Sequence, residues 1–178
     1  MGRSETAAVV IVSHTAQLGP DRLAAARALC DAAYGDFGDE DWSHALGGMH
    51  ALVDEDGTFA AHGALVLRRL LIGGRWLRCG YVEAVAVAEA HRGRGLGHQM
   101  MAALEELAPG YDLLALCSSS AGRPLYESRG WSLWRGPASA LTPAGIVVTP
   151  DEDSIFVGVT GLDLDAPITC DWREGDLW

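Results

Sequence analysis

The sequence predicts a mixed α/β fold in which antiparallel hairpins come first and a β-α-β-α-β order follows. Two apolar segments, 49–53 and 58–71, flank the turn 54–57, whose acidic residues and glycine are a hairpin signal. The pair Gly73-Gly74 then marks a second tight turn into an apolar strand over 76–87. Helical and strand-like segments alternate from there onward. A mixed sheet with helices on both faces therefore accounts for the chain.

Local signals predict the remaining elements. An apolar first strand covers 7–12. Pro20 is tolerated in the first turn of a helix, and apolar residues then recur at helical spacing as far as Gly35. A short helix over 40–46 stops at Gly47-Gly48. The later elements, in chain order, are a helix over 95–108, a strand over 111–117, a helix over 121–129 and strands over 131–134 and 155–159.

Length, composition and charge narrow the class of protein. A chain of 178 residues suits one domain over 1–178, and 49% hydrophobic with 21% charged residues is typical of soluble globular proteins. The chain has neither the ~18-residue apolar run of a membrane span nor a secretory signal, so we expect a cytoplasmic protein with no membrane partner. The net charge of −11 argues against nucleic acid as a partner, because such binding needs a basic patch.

The cysteines are expected to be reduced and mostly buried. Cys30, Cys79, Cys117 and Cys170 form no C-x-x-C pair and no zinc-ligand spacing, so we predict no metal site. Cys117 stands at the predicted end of a strand. An acyl-enzyme nucleophile there would need a histidine partner, and none is evident nearby in the sequence.

Acidic residues cluster at 36–41, 54–56, 151–153 and 171–176. We interpret 54–56 as a solvated loop. The other clusters are either solvated as well or create a field that attracts a cationic partner.

The segment between the predicted strand 80–87 and the predicted helix 95–108 indicates a phosphate site. Glycines there let the backbone approach an anion, and the unpaired amides of the first helical turn point at it. The alternative is an ordinary strand–turn–helix corner with surface arginines. The six residues, in the pattern R-x-x-G-x-G, are Arg92, Gly93, Arg94, Gly95, Leu96 and Gly97.

Together with the later Leu125-Tyr126-x-x-x-Gly130-Trp131, this turn resembles the acetyl-CoA-binding core of the GCN5-related N-acetyltransferase (GNAT) family. From about residue 9 to the last residue, the chain is similar to the aminoglycoside 2′-N-acetyltransferases within that family. The blocks that carry the closer resemblance include Gly35-Asp36-Phe37, Asp41-Trp42, Leu46-Gly47-Gly48-Met49-His50-Ala51-Leu52, Leu77-Arg78-Cys79-Gly80-Tyr81-Val82-Glu83 and Cys170-Asp171-Trp172-Arg173-Glu174-Gly175-Asp176-Leu177-Trp178.

The resemblance implies a GNAT fold, with a mostly antiparallel mixed sheet and a splayed parallel strand pair. It implies acetyl-CoA as cosubstrate, with the CoA pyrophosphate on residues 92–97. The preceding strand would carry a bulge. The main chain of Val85 and Val87 would hold the pantetheine arm and the thioester carbonyl, with the Val85 amide as oxyanion donor. A homodimer is also implied.

Two residues are candidates for proton transfer. Glu83 lies on an apolar strand, where a carboxylate is costly to bury without a partner, and the resemblance makes it the base. Its alternative role is a solvent-facing residue, and alternation does not decide between them. Tyr126 is the candidate acid, since a phenol with a pKa of ~10 can protonate a thiolate. Its alternative role is a core tyrosine.

Substrate ligands follow from the same resemblance, because ammonium groups need carboxylates and carbonyls as acceptors. Helix capping is the alternative for Asp41, and solvated tails for the other acids. Two positions depart from the family pattern: Glu152 stands where Asp is expected, and Cys117 where Ser is expected. The candidates are Asp36, Asp41, Glu83, Cys117, Glu152, Asp176 and the carboxylate of Trp178.

These features predict acetyl-CoA-dependent N-acetylation of the 2′-amino group of aminoglycosides, by direct attack in a ternary complex. Such a reaction would give aminoglycoside resistance. One alternative is a GNAT acetyltransferase for another cationic amine metabolite. The other is a non-catalytic acyl-CoA-binding module, which would not need Glu83 or Tyr126.

Overall fold

The computed structural model describes residues 8–150, 152–158 and 161–178. The chain forms two compact units. The first contains the described residues up to Leu65 and Glu83–Glu106, and the second contains Val66–Val82 and Leu107–Trp178. One domain over 1–178 therefore stays a prediction.

The first unit contains β1 (Ala8–His14), β2 (Met49–Glu55), the first part of β3 (Thr58–Ile72) and the last part of β4 (Arg75–Val87). β1 pairs antiparallel with β2, and β2 pairs antiparallel with β3. The predicted hairpin over 54–57 is confirmed. Ala7, which was predicted to begin the first strand, lies outside the described residues.

The described part of the first unit also contains the α-helices α1 (Thr15–Tyr34), α2 (Asp39–Ala45) and α3 (Leu96–Glu105). Gly19 interrupts α1 with a φ of 74°, so the regular helix begins at Pro20 as predicted. The buried side chains of α3 recur at helical spacing, and α3 contacts β1 and β2. A Cβ at Gly63 on β3 would collide with the side chain of Met100 on α3, so a larger residue there would force that side chain to move.

The second unit contains the rest of β3 and β4 with α4 (Arg123–Ser128) and six further strands. The strand order is β6-β9-β5-β4-β3-β10-β7-β8. β4 pairs parallel with β5, and β10 pairs parallel with β7, whereas four other pairs are antiparallel. The strands are β5 (Leu113–Cys117), β6 (Ser132–Leu133), β7 (Ala138–Thr142), β8 (Gly145–Val148), β9 (Ile155–Val157) and β10 (Ile168–Cys170).

The mixed, mostly antiparallel sheet is confirmed. The parallel register of β4 and β5 runs only from Cys79–Leu113 to Tyr81–Ala115, although both strands continue further. The resemblance predicted such a splayed pair. Sequence reasoning missed β7, β8 and β10, and it made the helix now seen as α4 three residues too long. Val159, predicted to end the strand β9, lies outside the described residues.

The core of the second unit is apolar and includes two of the cysteines. Cys79 and Cys170 are fully buried there, Cys30 is buried in the first unit, and Cys117 is partly exposed. All four thiols are free, as predicted. In the part of the chain that the structure describes, no helix is both long and apolar enough to span a membrane. No group of three or more metal-ligating side chains is found among the same residues.

Candidate active site

The turn over residues 92–97, for which we predicted a phosphate site and which we call the phosphate turn, has the positive φ angles that its glycines predicted. Gly93 and Gly95 have φ of 73° and 81°, in the left-handed region that favours glycine. Gly95 caps α3, and no side chain among the described residues occupies this cap. A ten-residue helix presents free amides and a positive dipole at such an end. Because nothing lies within 4 Å of a Cβ built at either glycine, the backbone is open to a pyrophosphate.

The solvated-loop interpretation of 54–56 is wrong for Glu55. Its side chain is 5% exposed and lies at the end of β2, where it accepts a hydrogen bond from Nδ1 of His91 at 2.6 Å. Nη1 of Arg94 also donates to it, at 3.2 Å. The hydrogen bond from His91 makes the largest contribution to lowering the pKa of the Glu55 carboxyl, and Arg94 lowers it further. Glu55 therefore holds His91 and Arg94, which lie on either side of Arg92 and Gly93. Its parity with the buried Ala51 and Val53 was the signal that sequence reasoning missed.

The two acidic residues beside Glu55 differ in their exposure to solvent. The Asp54 carboxylate accepts hydrogen bonds from both terminal nitrogens of Arg22, at 3.1 and 3.0 Å, so it is paired rather than solvated. Asp56 is exposed, as predicted.

Arg92 is exposed, and its Nε donates to the carbonyl of Val87 at 3.3 Å. The cation of the R-x-x-G-x-G pattern thus lies beside the carbonyl that ends β4.

The strand that carries the candidate base departs from strand geometry at one residue. Ala84 has a φ of 50°, which is rare for any residue with a side chain. Alternation of sides along β4 breaks there, so Glu83 no longer shares a face with Val85 by parity. The side chains of Glu83, Ala84, Val85 and Val87 are partly buried. The hydroxyl of Tyr34 donates to the carbonyl of Val85 at 2.5 Å.

Asp36 lies between α1 and α2, and Asp41 lies in the first turn of α2. Asp36 is exposed and directly follows Gly35, whose φ of 77° ends α1. Oδ2 of Asp41 accepts from the amide of Gly38 at 2.7 Å, so the capping role considered for Asp41 is present. Asp39, between them, is paired with Arg27 at 2.9 Å.

Tyr126, the candidate acid, is a buried residue of α4. Its ring packs at tilted angles against Trp131 and Phe156, with centroids 6.1 and 6.3 Å apart. Burial raises the pKa of its phenol above the usual value. The phenol is protonated at neutral pH, as an ordinary tyrosine is, and its raised pKa makes it a weaker acid.

The two positions that depart from the family pattern contact each other. Sγ of Cys117 donates to Oε1 of Glu152 at 3.1 Å, and Oγ of Ser154 donates to the same oxygen at 3.0 Å. The longer glutamate thus reaches the thiol that replaces the expected serine hydroxyl. Ser154 is a member of this cluster that sequence reasoning did not single out.

The C-terminal run is ordered by a buried arginine. Nε of Arg68 donates to Oδ1 of Asp171 at 2.8 Å, and its Nη2 donates to the Asp171 carbonyl at 3.0 Å. Oδ2 of Asp171 accepts from the amide of Arg69 at 2.9 Å. The Arg68 side chain is only 5% exposed and lies over the ring of Tyr81, with its Cζ 4.7 Å from the centroid. Asp171 therefore ties the residues after β10 to β3.

Trp178 belongs to the core of the second unit. Its Nε1 donates to Oγ1 of Thr149 at 3.1 Å, and its main-chain oxygen accepts from Nη2 of Arg173 at 2.9 Å. Nε of Arg173 donates to the carbonyl of Asp176 at 2.6 Å, while the Asp176 side chain is exposed. The run is therefore packed rather than frayed, and the negative charge predicted at its end lies against a guanidinium.

A family model described as an acetyltransferase (GNAT) domain matches residues 18–134. The match includes the phosphate turn, β4 and α4. The chain belongs to the GNAT family of acetyltransferases. Members of this family use acetyl-CoA as the acetyl donor, and the open glycine turn at the start of α3 fits its pyrophosphate.

Three known proteins give the extent of the likeness. The aminoglycoside 2′-N-acetyltransferase of Mycolicibacterium fortuitum is 50% identical over 174 residues, covering 93% of this chain and 89% of that protein. A GNAT family N-acetyltransferase from Escherichia coli, solved in complex with CoA, matches with a TM-score of 0.62 and 19% identity over 98% of this chain and 94% of that one.

A GCN5-related N-acetyltransferase from Kribbella flavida matches with a TM-score of 0.59 and 20% identity over 74% of this chain. The match covers 34% of that chain, so this protein spans about a third of its length. Both structural matches support the GNAT fold.

Proposed function

We propose that this GNAT acetyltransferase transfers the acetyl group of acetyl-CoA to the 2′-amino group of aminoglycosides. The observation that carries the proposal is the 50% identity, over nearly the whole of both chains, with the M. fortuitum protein of that name. An acidic chain with a net charge of −11 suits a polycationic substrate, because its field raises the local concentration of cations.

In the proposed reaction the 2′-amine attacks the thioester carbonyl directly. Glu83 accepts the proton that the attacking amine loses. The Val85 amide donates to the carbonyl oxygen as it becomes an oxyanion. When the carbon–sulfur bond breaks, the departing thiolate takes its proton from the Tyr126 phenol, which is neutral at physiological pH.

The remaining candidate residues would hold the ammonium groups of the substrate. Asp36 and Asp176 are exposed, so both carboxylates are accessible to a ligand. Glu152 already accepts from Cys117 and Ser154, so an ammonium group there would share an oxygen with two donors or bind the second oxygen. The range of aminoglycosides accepted is therefore expected to depend on the Cys117–Glu152 pair.

A matched pair of substrates tests the proposal. Kanamycin B carries a 2′-amino group and kanamycin A carries a 2′-hydroxyl at the same position. We expect release of the CoA thiol with acetyl-CoA and kanamycin B, and mass spectrometry of the product to show one added acetyl group at the 2′ nitrogen. Gly95→Val, which blocks the phosphate turn, is the inactive control.

Two results would contradict the proposal. Equal turnover of the two kanamycins would place the acetyl group elsewhere on the sugar. Turnover with a simple polyamine but not with kanamycin B would favour the alternative of another cationic amine substrate.

We propose homodimer formation on the family resemblance, and a cytoplasmic location because free cysteines suit a reducing compartment. Light scattering of the purified protein would measure its mass against the 18.9 kDa of one chain. Cell fractionation would locate it. A mass of one chain across micromolar concentrations would contradict the dimer.

A further inference from the structure

We propose that His62 is a positioning residue that orients the Val85 N–H through the peptide group it shares with the Ala84 carbonyl. The inference rests on the proposed function, in which the Val85 amide is the oxyanion donor. It assigns a role in acetyl transfer to a buried histidine pair that the mechanism above does not use.

Two fully buried histidines form a continuous hydrogen-bonded chain in the first unit. Oγ1 of Thr15 lies 2.7 Å from Nε2 of His50, and Nδ1 of His50 lies 2.9 Å from Nε2 of His62. Nδ1 of His62 lies 2.8 Å from the carbonyl oxygen of Ala84. The chain therefore runs from the start of α1 through β2 and β3 to the irregular residue of β4.

The end of this chain fixes the position of every proton in it. A carbonyl oxygen can only accept, so Nδ1 of His62 carries a proton and donates to Ala84. Burial lowers the pKa of both imidazoles to about 4, so each ring is neutral and carries one proton. Nε2 of His62 therefore accepts from Nδ1 of His50, and Nε2 of His50 accepts from the hydroxyl of Thr15. Both rings are the Nδ1-protonated tautomer.

The peptide plane carries this constraint to the next residue. The Ala84 carbonyl and the Val85 N–H belong to one planar, trans peptide group, so they point in opposite directions. Holding the oxygen on the His62 side thus aims the Val85 N–H away from His62. A hydrogen bond to the carbonyl also polarises the amide of the same group and makes its proton a better donor.

The backbone at Ala84 needs such support. A φ of 50° is unfavourable for alanine and persists only when its surroundings hold it in place. The His62 bond is the short contact to this carbonyl, and Sγ of Cys30 lies further away, at 3.6 Å. Without the imidazole donor, the peptide is free to rotate toward ordinary strand geometry, and the Val85 N–H rotates with it.

Packing holds the imidazoles in the plane that this geometry requires. The Trp42 ring is tilted over both, with centroids 6.4 Å from His50 and 6.0 Å from His62. Oγ1 of Thr15 also accepts from the amide of Gly47 at 2.9 Å, which fixes the far end of the chain. The rings have no exposed surface, so these contacts hold them without competition from solvent.

Two substitutions of His62 separate its two hydrogen bonds. His62→Asn keeps an N–H donor at the position of Nδ1 and loses the group that meets His50. His62→Gln keeps a polar group near the position of Nε2 and loses the donor to Ala84. We expect the Gln variant to lower kcat with kanamycin B by about tenfold or more, since removing an oxyanion donor costs roughly 10²–10³-fold. The Asn variant is expected to stay within about threefold of the wild type.

Binding and stability provide the controls. The KM values for acetyl-CoA and kanamycin B are expected to change less than about twofold in both variants, because neither ligand contacts His62 in the proposal. Leu104→Ala, a fully buried substitution on α3, is the control for lost stability. It is expected to lower the melting temperature and leave kcat unchanged. Equal kcat in the Asn and Gln variants, or kcat losses that follow melting temperature alone, would overturn the proposal.

Nuclear magnetic resonance tests the inference without turnover, so it separates failure of this proposal from failure of the proposed substrate. The ¹⁵N shifts of both imidazoles are expected to report Nδ1-protonated rings at neutral pH. Acetyl-CoA is expected to shift the Val85 amide proton in the wild type and in His62→Asn but not in His62→Gln. An Nε2-protonated His62, or the same Val85 shift in all three proteins, would refute it.

Discussion

The buried pair of Arg68 and Asp171 predicts an asymmetric response to mutation. Asp171→Ala leaves the Arg68 guanidinium, 5% exposed, without its carboxylate. Nη1 of Arg68 already has no hydrogen-bond partner among the described residues, and after the substitution the guanidinium keeps only the main-chain carbonyl of residue 171 of its two acceptors on that residue. Stranding one member of a buried ion pair costs about 3–5 kcal/mol.

The reverse change is milder. Arg68→Met puts an apolar chain in the same space, and Asp171 keeps the Arg69 amide and stays 33% exposed, so water hydrates its charge. We expect about 1–2 kcal/mol for this substitution. The double variant is expected to be more stable than Asp171→Ala alone, because it removes the stranded cation.

Urea unfolding followed by tryptophan fluorescence measures these differences in the unit that carries the pair, since every tryptophan except Trp42 lies in the second unit. At about 2–4 °C per kcal/mol for a protein of this size, Asp171→Ala is expected to melt roughly 6–20 °C lower. The KM for kanamycin B is expected to rise in Asp171→Ala while the KM for acetyl-CoA holds, because residues 172–178 lose their tie to β3. If Arg68→Met is as destabilising as Asp171→Ala, or the double variant is the least stable of the three, the reasoning is refuted.

Three further changes test other parts of the molecule. Arg92→Ala is expected to raise the KM for acetyl-CoA. Gly95→Val is expected to abolish CoA binding, because the φ of 81° at Gly95 is strained for valine. Calorimetry measures the CoA affinity of both variants, and wild-type affinity in both would rule out the assignment of residues 92–97 to the pyrophosphate. Tyr126→Phe is expected to lower kcat by roughly 10²-fold, the usual size for a general acid, with little change in melting temperature; turnover within twofold of the wild type would make Tyr126 structural. Stability in acid depends on His50 and His62, whose pKa values are lowered by burial from 6.5 to about 4, so that the unfolded chain binds protons that the folded chain does not. The free energy of unfolding is therefore expected to fall as the pH drops from about 6.5 to about 4, by up to about 1.4 kcal/mol per pH unit for each ring. A free energy of unfolding that stays constant over that range would contradict the assignment.

Local signals in the sequence predicted those elements whose residues specify their own geometry. Pro20 begins the regular part of α1, and the glycines at 93 and 95 adopt the left-handed conformations that a phosphate turn needs. Of the missed strands, β7 and β8 pair locally as a hairpin, whereas β10 depends on distant partners. Ile168–Cys170 is only three residues long, and it is a strand because it pairs with β3 on one side and β7 on the other.

The same distinction holds in the candidate site. Family resemblance made Glu83 and Tyr126 the candidates for proton transfer, but nothing local marks Ala84 as a left-handed residue, since alanine has no preference for that region. The constraint comes from His62, twenty-two residues away along the chain. Glu55 was misjudged because its acidic neighbours indicate a loop, while its burial depends on His91 and Arg94 far along the sequence.

The place of β10 inside the strand order has a consequence for folding during synthesis. β10 lies between β3 and β7, yet it is the last of the described strands to leave the ribosome. Until residues 168–170 emerge, β3 lacks a neighbour on that side and the β7–β8 hairpin has nothing to join, so its exposed Ile146 and Val148 stay on a detached ribbon. Completion of this half of the sheet therefore waits until residues 168–170 have emerged, and a ribosome stalled before β10 would hold a nascent chain with two unpaired strand edges open to aggregation.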